Sequence, residues 1–224
     1  MADWLTYTAS DFLLFTPRTY YRLFELYNQD IWPAHLLSLF CGILAFALLW
    51  RGRHADGGIV VAILAAAFLW ISWAYFFERY QTINWSARYF ALGFIAQAVL
   101  LGFVGPSKRK LFLRPTRMRR RIGLALFFFA LVLQPLIGPL LLERPWPQAE
   151  IFGMTPDPTM VATLGALLIL LRGRALALAM ALPLVWCAIS YLTLWTMGSP
   201  DAWVMLAAMG VAIIATRLPS QEPE

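Results

Sequence analysis

An all-helical, polytopic membrane fold is predicted by three observations on this 224-residue chain. Apolar residues make up 61% of it and charged residues only 13%, the apolar residues gather into seven runs, and basic residues concentrate in alternate connections between those runs. A soluble domain carries about 25% charged residues, so a water-solvated globule is excluded and lipid is the solvent that matters. The runs are 31–50, 57–77, 88–104, 122–142, 158–171, 175–197 and 202–216. A bilayer core about 30 Å thick takes about 20 helical residues. The first, second, fourth and sixth runs meet that length; the third, fifth and seventh fall short and must pack inward or borrow flanking residues.

Taken in order, residues 1–32 form an extracytoplasmic segment, 33–217 a seven-helix transmembrane domain and 218–224 a cytoplasmic tail. Residues 1–15 carry Asp3 and Asp11 without a basic stretch, so no cleavable signal is expected. Thr16 can cap a helix that opens with Pro17, and Tyr20, Leu23, Phe24, Tyr27 and Ile31 follow a helical stripe. Arg18, Arg22, Glu25 and Asp30 lie off the stripe, which predicts an amphipathic interfacial helix before Pro33 opens the first span.

The charges orient the spans. Arg51, Arg53, Arg172, Arg174, Arg217 and the eight basic residues between Lys108 and Arg121 fall on one side, thirteen of the 18 in the chain. The other side holds Arg18, Arg22, Arg79, Arg88 and Arg144 among nine acids. Basic loops stay in the cytoplasm, which places the N-terminus outside and the C-terminus inside. The 108–121 loop is then a topology determinant touching anionic headgroups, and no motif in it supports nucleic-acid binding.

An internal repeat is visible. Leu48-Leu49-Trp50-Arg51-Gly52-Arg53 recurs as Ile169-Leu170-Leu171-Arg172-Gly173-Arg174, Ile71-Ser72-Trp73 as Ile189-Ser190-Tyr191, and Trp85 pairs with Trp203. The matches relate spans one to three to spans five to seven in the same orientation, a 3+1+3 parallel plan with the fourth span as linker.

Three stretches, Phe24 through Ala34, Pro135-Leu136-Ile137-Gly138, and Phe152-Gly153-Met154-Thr155-Pro156-Asp157-Pro158-Thr159, carry a resemblance to a family. With its Tyr-Asn-x-x-Ile-Trp-Pro and Phe-Gly-x-Thr-Pro-x-Pro-Thr motifs, the chain resembles an uncharacterised bacterial multi-pass inner-membrane family, a domain of unknown function. The resemblance implies an inner-membrane location and no biochemical activity. A cysteine commonly stands between the two prolines in that family, where this chain has Asp157.

Several chemistries are excluded on residue type and spacing. A retinal Schiff base needs a lysine inside a helix, and the only lysines are Lys108 and Lys110. His35 and His54 sit at opposite ends of the first span, about 28 Å apart at the helical rise, too far for one haem. No zinc-type spacing, nucleophile-base motif or mid-span acid occurs, so no enzyme, metal, cofactor or proton pump is expected. Cys41 and Cys187 lie in apolar runs, and no disulfide is expected between them. The neutral polar residues at mid-depth, Ser72, Gln97, Gln134, Ser190 and Thr193, are expected to satisfy carbonyls freed by Pro135 and Pro183.

The outer ends are richer. Glu78 and Arg79 close span two, Asn84, Trp85 and Arg88 open span three, Glu143 and Arg144 close span four, and Asp157 is expected to cap span five. Trp32, Trp70, Trp73, Trp85, Trp146, Trp186, Trp195 and Trp203 crowd the same half, as an aromatic belt would. The candidate solute or partner site is Asn84, Arg88, Glu78, Trp186, Tyr191 and Asp157. It would serve either a facilitator or binding protein for a small neutral solute, or a non-catalytic subunit of a larger membrane complex.

Overall fold

A computed structural model describes residues 14–104 and 115–218, and every regular element among them is helical. Lys108, Arg109, Lys110 and Arg114 of the basic loop, Asp3 and Asp11, and the tail from 219 lie outside the described residues. The helices are α1 (Pro17–Asp30), α2 (Ala34–Arg51), α3 (Gly57–Trp70), α4 (Ala87–Val104), α5 (Arg117–Phe128), α6 (Gln134–Leu141), α7 (Pro156–Leu170), α8 (Gly173–Thr196) and α9 (Ala202–Thr216). A wide π-helical stretch, Ile71–Phe77, continues α3, and a second, Phe129–Leu133, joins α5 to α6. Four helical rods are long and apolar enough to cross a membrane: Ala34–Arg51, Gly57–Thr82, Arg117–Leu141 and Gly173–Thr196. The remaining three apolar runs are also helices but shorter, as their sequence lengths require.

The first span opens at Ala34, directly after Pro33 as expected, while the fourth differs from expectation and opens five residues early at Arg117. Thr116 explains the early start: its side chain accepts the Arg119 amide at 3.4 Å, and Arg119, Arg120 and Arg121 become helical. Arg119 is buried and donates from Nη2 to Leu171 O at 2.6 Å, at the C-terminal end of α7, while Arg120 donates to Trp50 O at the end of α2. Cations thus meet the negative ends of two helix dipoles.

Helix α1 begins as its sequence predicts, with Thr16 accepting from Thr19 N at 3.2 Å and Pro17 in the first turn. Its stripe faces protein: Tyr20, Leu23, Phe24 and Tyr27 are buried, and Phe24 stacks on Tyr75 at 5.5 Å between centroids.

Every residue of α7 is buried, and α5, α8, α9 and α3 pack around it. Between apolar helices in lipid, close approach is the source of packing energy, and small residues supply it. A Cβ on Gly165 would strike Gly123 O, and one on Gly123 would strike Gly165 O, so α5 and α7 cross backbone to backbone. Gln97 of α4 donates to Ala179 O at 2.8 Å, the α8 carbonyl whose usual i+4 partner is removed by Pro183, and Ser72 donates to Ala91 O at 2.9 Å. These two are helix-to-helix glue. The two cysteines are unpaired.

Candidate functional site

The end of the bundle that carries α1 is organised by that helix and by the turn before α7. Tyr27 donates to Met154 O at 3.0 Å and accepts from Trp70 Nε1 at 3.0 Å. Asn28 holds Pro147 O and Ala149 O, each at 2.8 Å, and Ser38 donates to Phe152 O. Gly153 adopts φ 75°, and a Cβ there would collide with Ser38, so the turn requires glycine. Thr159 accepts from Gly153 N and donates to Thr155 O, both at 2.7 Å.

This turn presents Asp157, but not as the cap that its sequence suggested. The N-cap position is Thr155, whose side chain makes no capping bond. Pro156 and Pro158 have no N–H to satisfy, which removes much of the need for a cap and frees Asp157 to face α8. Its Oδ1 accepts from Trp186 Nε1 at 2.7 Å and its Oδ2 from Ser190 Oγ at 2.5 Å, all three residues being buried.

Trp186 and Ser190 have a second face. With Tyr20, Tyr75, Tyr80, Asn84, Phe90 and Thr193 they line a half-open cavity of about 390 Å³ between α1, the π-helical end of α3, α4 and α8. Tyr75 and Tyr80 stack at 5.7 Å, Phe90 meets Trp186 edge-on at 5.3 Å, and Asn84 donates to Tyr80 OH at 3.3 Å while accepting from Ser86 N at 2.9 Å. No Lys, Arg, Asp or Glu is among the described residues of the wall. Of the eight belt tryptophans, Trp186 alone is buried. Burial pushes the Tyr20 phenol well above its ordinary range, and Tyr75, Glu150 and Asp157 push it the same way.

On the far side of Asp157, a cavity of about 30 Å³ is bounded by Gln134, Arg144, Glu150, Asp157, Asp201 and Met205, room for one water. Arg144 donates to Asp201 Oδ2 at 2.7 Å and Ser199 Oγ at 2.5 Å, with its guanidinium 3.9 Å from the centre of the Tyr21 ring. The enclosed oxygens Gln134 Oε1, Glu150 Oε2 and Asp201 Oδ1 find no protein donor. Burial raises the Glu150 carboxyl well above the carboxylate range; Asp157 and Asp201 add to this and Arg144 opposes it.

The six expected site residues therefore separate. Asn84 and Trp186 meet in the aromatic cavity, and Asp157 stands directly behind it. Tyr191 packs on Trp203 at 5.7 Å, since five residues of α-helix turn it well away from Trp186. Glu78 is exposed and lines a different cleft, of about 400 Å³, with Arg18, Arg22 and Arg79. Arg88 is exposed and borders neither space. Sequence reasoning missed Tyr20, Tyr75, Tyr80 and Phe90 as wall, and Glu150 and Asp201 as neighbours of Asp157. A signal was present for Ser190, one helical turn from Trp186 and so on the same face.

No curated protein and no solved structure matches this chain. One family does match, over residues 18–222, and is described as a family of unknown function, DUF6064. The match covers most of the chain, and the chain belongs to that family.

Proposed function

We propose that this chain is a non-catalytic, seven-span inner-membrane protein that binds a small solute in the aromatic cavity at its outer end, as a facilitator or binding protein. The observation that carries the reading is the cavity itself: it opens between the second, third and sixth apolar runs and is lined by both Asn84 and Trp186. Ring faces with a few convergent polar groups are what a small-molecule site is built from. No Lys, Arg, Asp or Glu is among the described residues of the wall, so the solute is one held by ring faces and without a direct ion pair. Phe76 and Phe94 close on Trp186, each at 5.3 Å, which seals the inner side. In this reading the protein is captured facing outward.

The 3+1+3 plan gains support from the linker. Trp50 and Leu171 are counterparts in the repeat, and their carbonyls accept guanidinium groups from the adjacent Arg120 and Arg119 of the single helix between the halves. The proposed orientation, N-terminus out and C-terminus in, is tested by labelling intact cells. Gln148→Cys should react with an impermeant thiol reagent and Arg117→Cys should not; the reverse pattern refutes it.

The solute reading is tested by a thermal-shift screen of small solutes against the purified chain, Asn84→Ala and Tyr80→Leu. A solute that raises the melting temperature of the wild type and loses that effect in Asn84→Ala or in Tyr80→Leu supports the cavity; equal shifts in the wild type and both variants argue against it. The competing reading, an accessory subunit, draws on the broad apolar face of α2, where Leu36, Leu37, Phe40, Ile43 and Leu44 are exposed. It predicts a stoichiometric membrane-protein partner after gentle purification, and a monodisperse monomer counts against it.

A further inference from the structure

We propose that the solute of the aromatic cavity is a compact quaternary methylammonium cation of the choline type. This rests on the solute-site reading and narrows it to a chemical class.

The wall chemistry comes first. Tyr20, Tyr75, Tyr80, Phe90 and Trp186 give the cavity an aromatic lining. An aromatic ring carries negative charge on its face, and a cage of such rings is how proteins hold a cation that has no N–H to donate. Three polar side chains of the wall are already engaged. Asn84 bonds Tyr80 and Ser86, Ser190 gives its proton to Asp157, and Thr193 donates to Ile189 O at 2.9 Å. A sugar or other polyol would need those groups free for its hydroxyls, whereas a methylated ammonium needs none of them.

The field inside the cavity points the same way. Asp157 lies one side chain behind the wall, and both of its oxygens act as acceptors, as befits a carboxylate. Its partner Trp186 donates N–H into that negative charge, which pushes electron density back into the indole ring facing the cavity. Among the described residues no basic side chain pairs with Asp157: Arg144, a cation in the adjoining polar space, is engaged by Asp201 and Ser199. The carboxyl groups acting on Tyr20, a wall residue, are Glu150 and Asp157. An anion or a zwitterion's carboxylate would enter this field with no arginine or lysine among the described residues of the wall to receive it. The volume, about 390 Å³, admits a trimethylammonium head with a short tail.

The experiment compares choline with 3,3-dimethylbutan-1-ol, the same shape with carbon in place of nitrogen and no charge. Binding to the full chain in uncharged detergent is read by tryptophan fluorescence and by melting temperature. Choline should bind at least about tenfold more tightly than the alcohol, a ratio within the range of a desolvated cation–π cage. Asp157→Asn keeps an acceptor for Trp186 and should weaken choline about tenfold while leaving the alcohol unchanged. Tyr80→Leu, outside the Asp157 pair, should weaken choline as well. Equal binding of choline and the alcohol overturns the proposal, as does choline binding that survives both substitutions. If neutral polyols bind and respond to Asn84→Ala while choline does not, the cation class fails and the cavity reading stands. If neither choline nor any neutral solute of the screen binds, both fall.

Discussion

Gln97 offers a direct measure of how this bundle is held. Its side chain is 3% exposed, so water cannot replace it, and it donates to Ala179 O, a carbonyl that Pro183 deprives of its helical partner. Gln97→Met keeps the length of the side chain and removes the donor. Interhelical hydrogen bonds in membrane proteins average about 0.6 kcal/mol and reach about 1.7, while a buried acceptor left unpaired costs about 1–3 kcal/mol. Because Pro183 leaves Ala179 O without its usual helical donor, the cost should fall near the top of the first range, about 1.5 kcal/mol. Pro183→Ala restores an amide N–H one turn away from the same oxygen. In that background Gln97→Met should cost only about 0.5 kcal/mol, leaving a coupling of about 1 kcal/mol. Unfolding of the four proteins in mixed micelles, followed by tryptophan fluorescence, closes the cycle. If Gln97→Met costs the same in both backgrounds, the carbonyl was not what Gln97 served.

Three further outcomes follow from packing and charge. Gly165→Val forces a side chain into the backbone of α5 at Gly123 and Phe127 and should destabilise by about 3 kcal/mol or abolish folding, whereas Gly210→Val, with open space around it, should be near neutral in the same melt. Asn28→Leu removes two bonds to the 147–149 segment, costing about 1–2 kcal/mol, and should speed proteolysis there before it affects global melting. The Glu150 carboxyl is raised by burial, so it favours the folded state below the ordinary glutamate value of about 4.5, and that stability is lost as pH rises through the raised value. Glu150→Gln should therefore gain on the wild type with increasing pH, and parallel melting curves across pH would contradict the assignment.

The helices were legible because apolar runs and a 3.6-residue stripe are local signals. Tyr20, Leu23, Phe24 and Tyr27 announce a buried face in α1, although not that this face meets Tyr75 and Tyr80. The central place of α7 was not legible, since a helix apolar on all sides reads alike whether lipid or protein surrounds it. Which candidate residues meet was not legible, because position along a span carries no azimuth: Asn84 and Trp186 line one cavity, while Tyr191 packs on Trp203, Glu78 lines another cleft and Arg88 borders neither. Tyr75 and Tyr80 stack at a spacing of five residues, across the end of a π-helical stretch that an α-helical wheel would misplace. Asp157 was singled out for the wrong role because its proline neighbours, which look like a cap signal, in fact reduce the number of amides to be capped.

A helix that touches no lipid has a particular problem during synthesis. Part of the sheath around α7 precedes it in the chain, chiefly α5, and part follows it, α8 and α9. While the ribosome is still making α8, Asp157 has neither Trp186 nor Ser190 to bond it, and the 15 residues of α7 span only about 22 Å. Such a segment is poorly suited to wait alone in the bilayer. The Gly123–Gly165 crossing gives it somewhere to wait, against a rod of 25 residues already in place, until its later partners arrive. A backbone-to-backbone crossing thus joins α7 to a helix made before it, and the completion of α8 is the step that gives the Asp157 carboxyl, at one end of the bundle, its two donors.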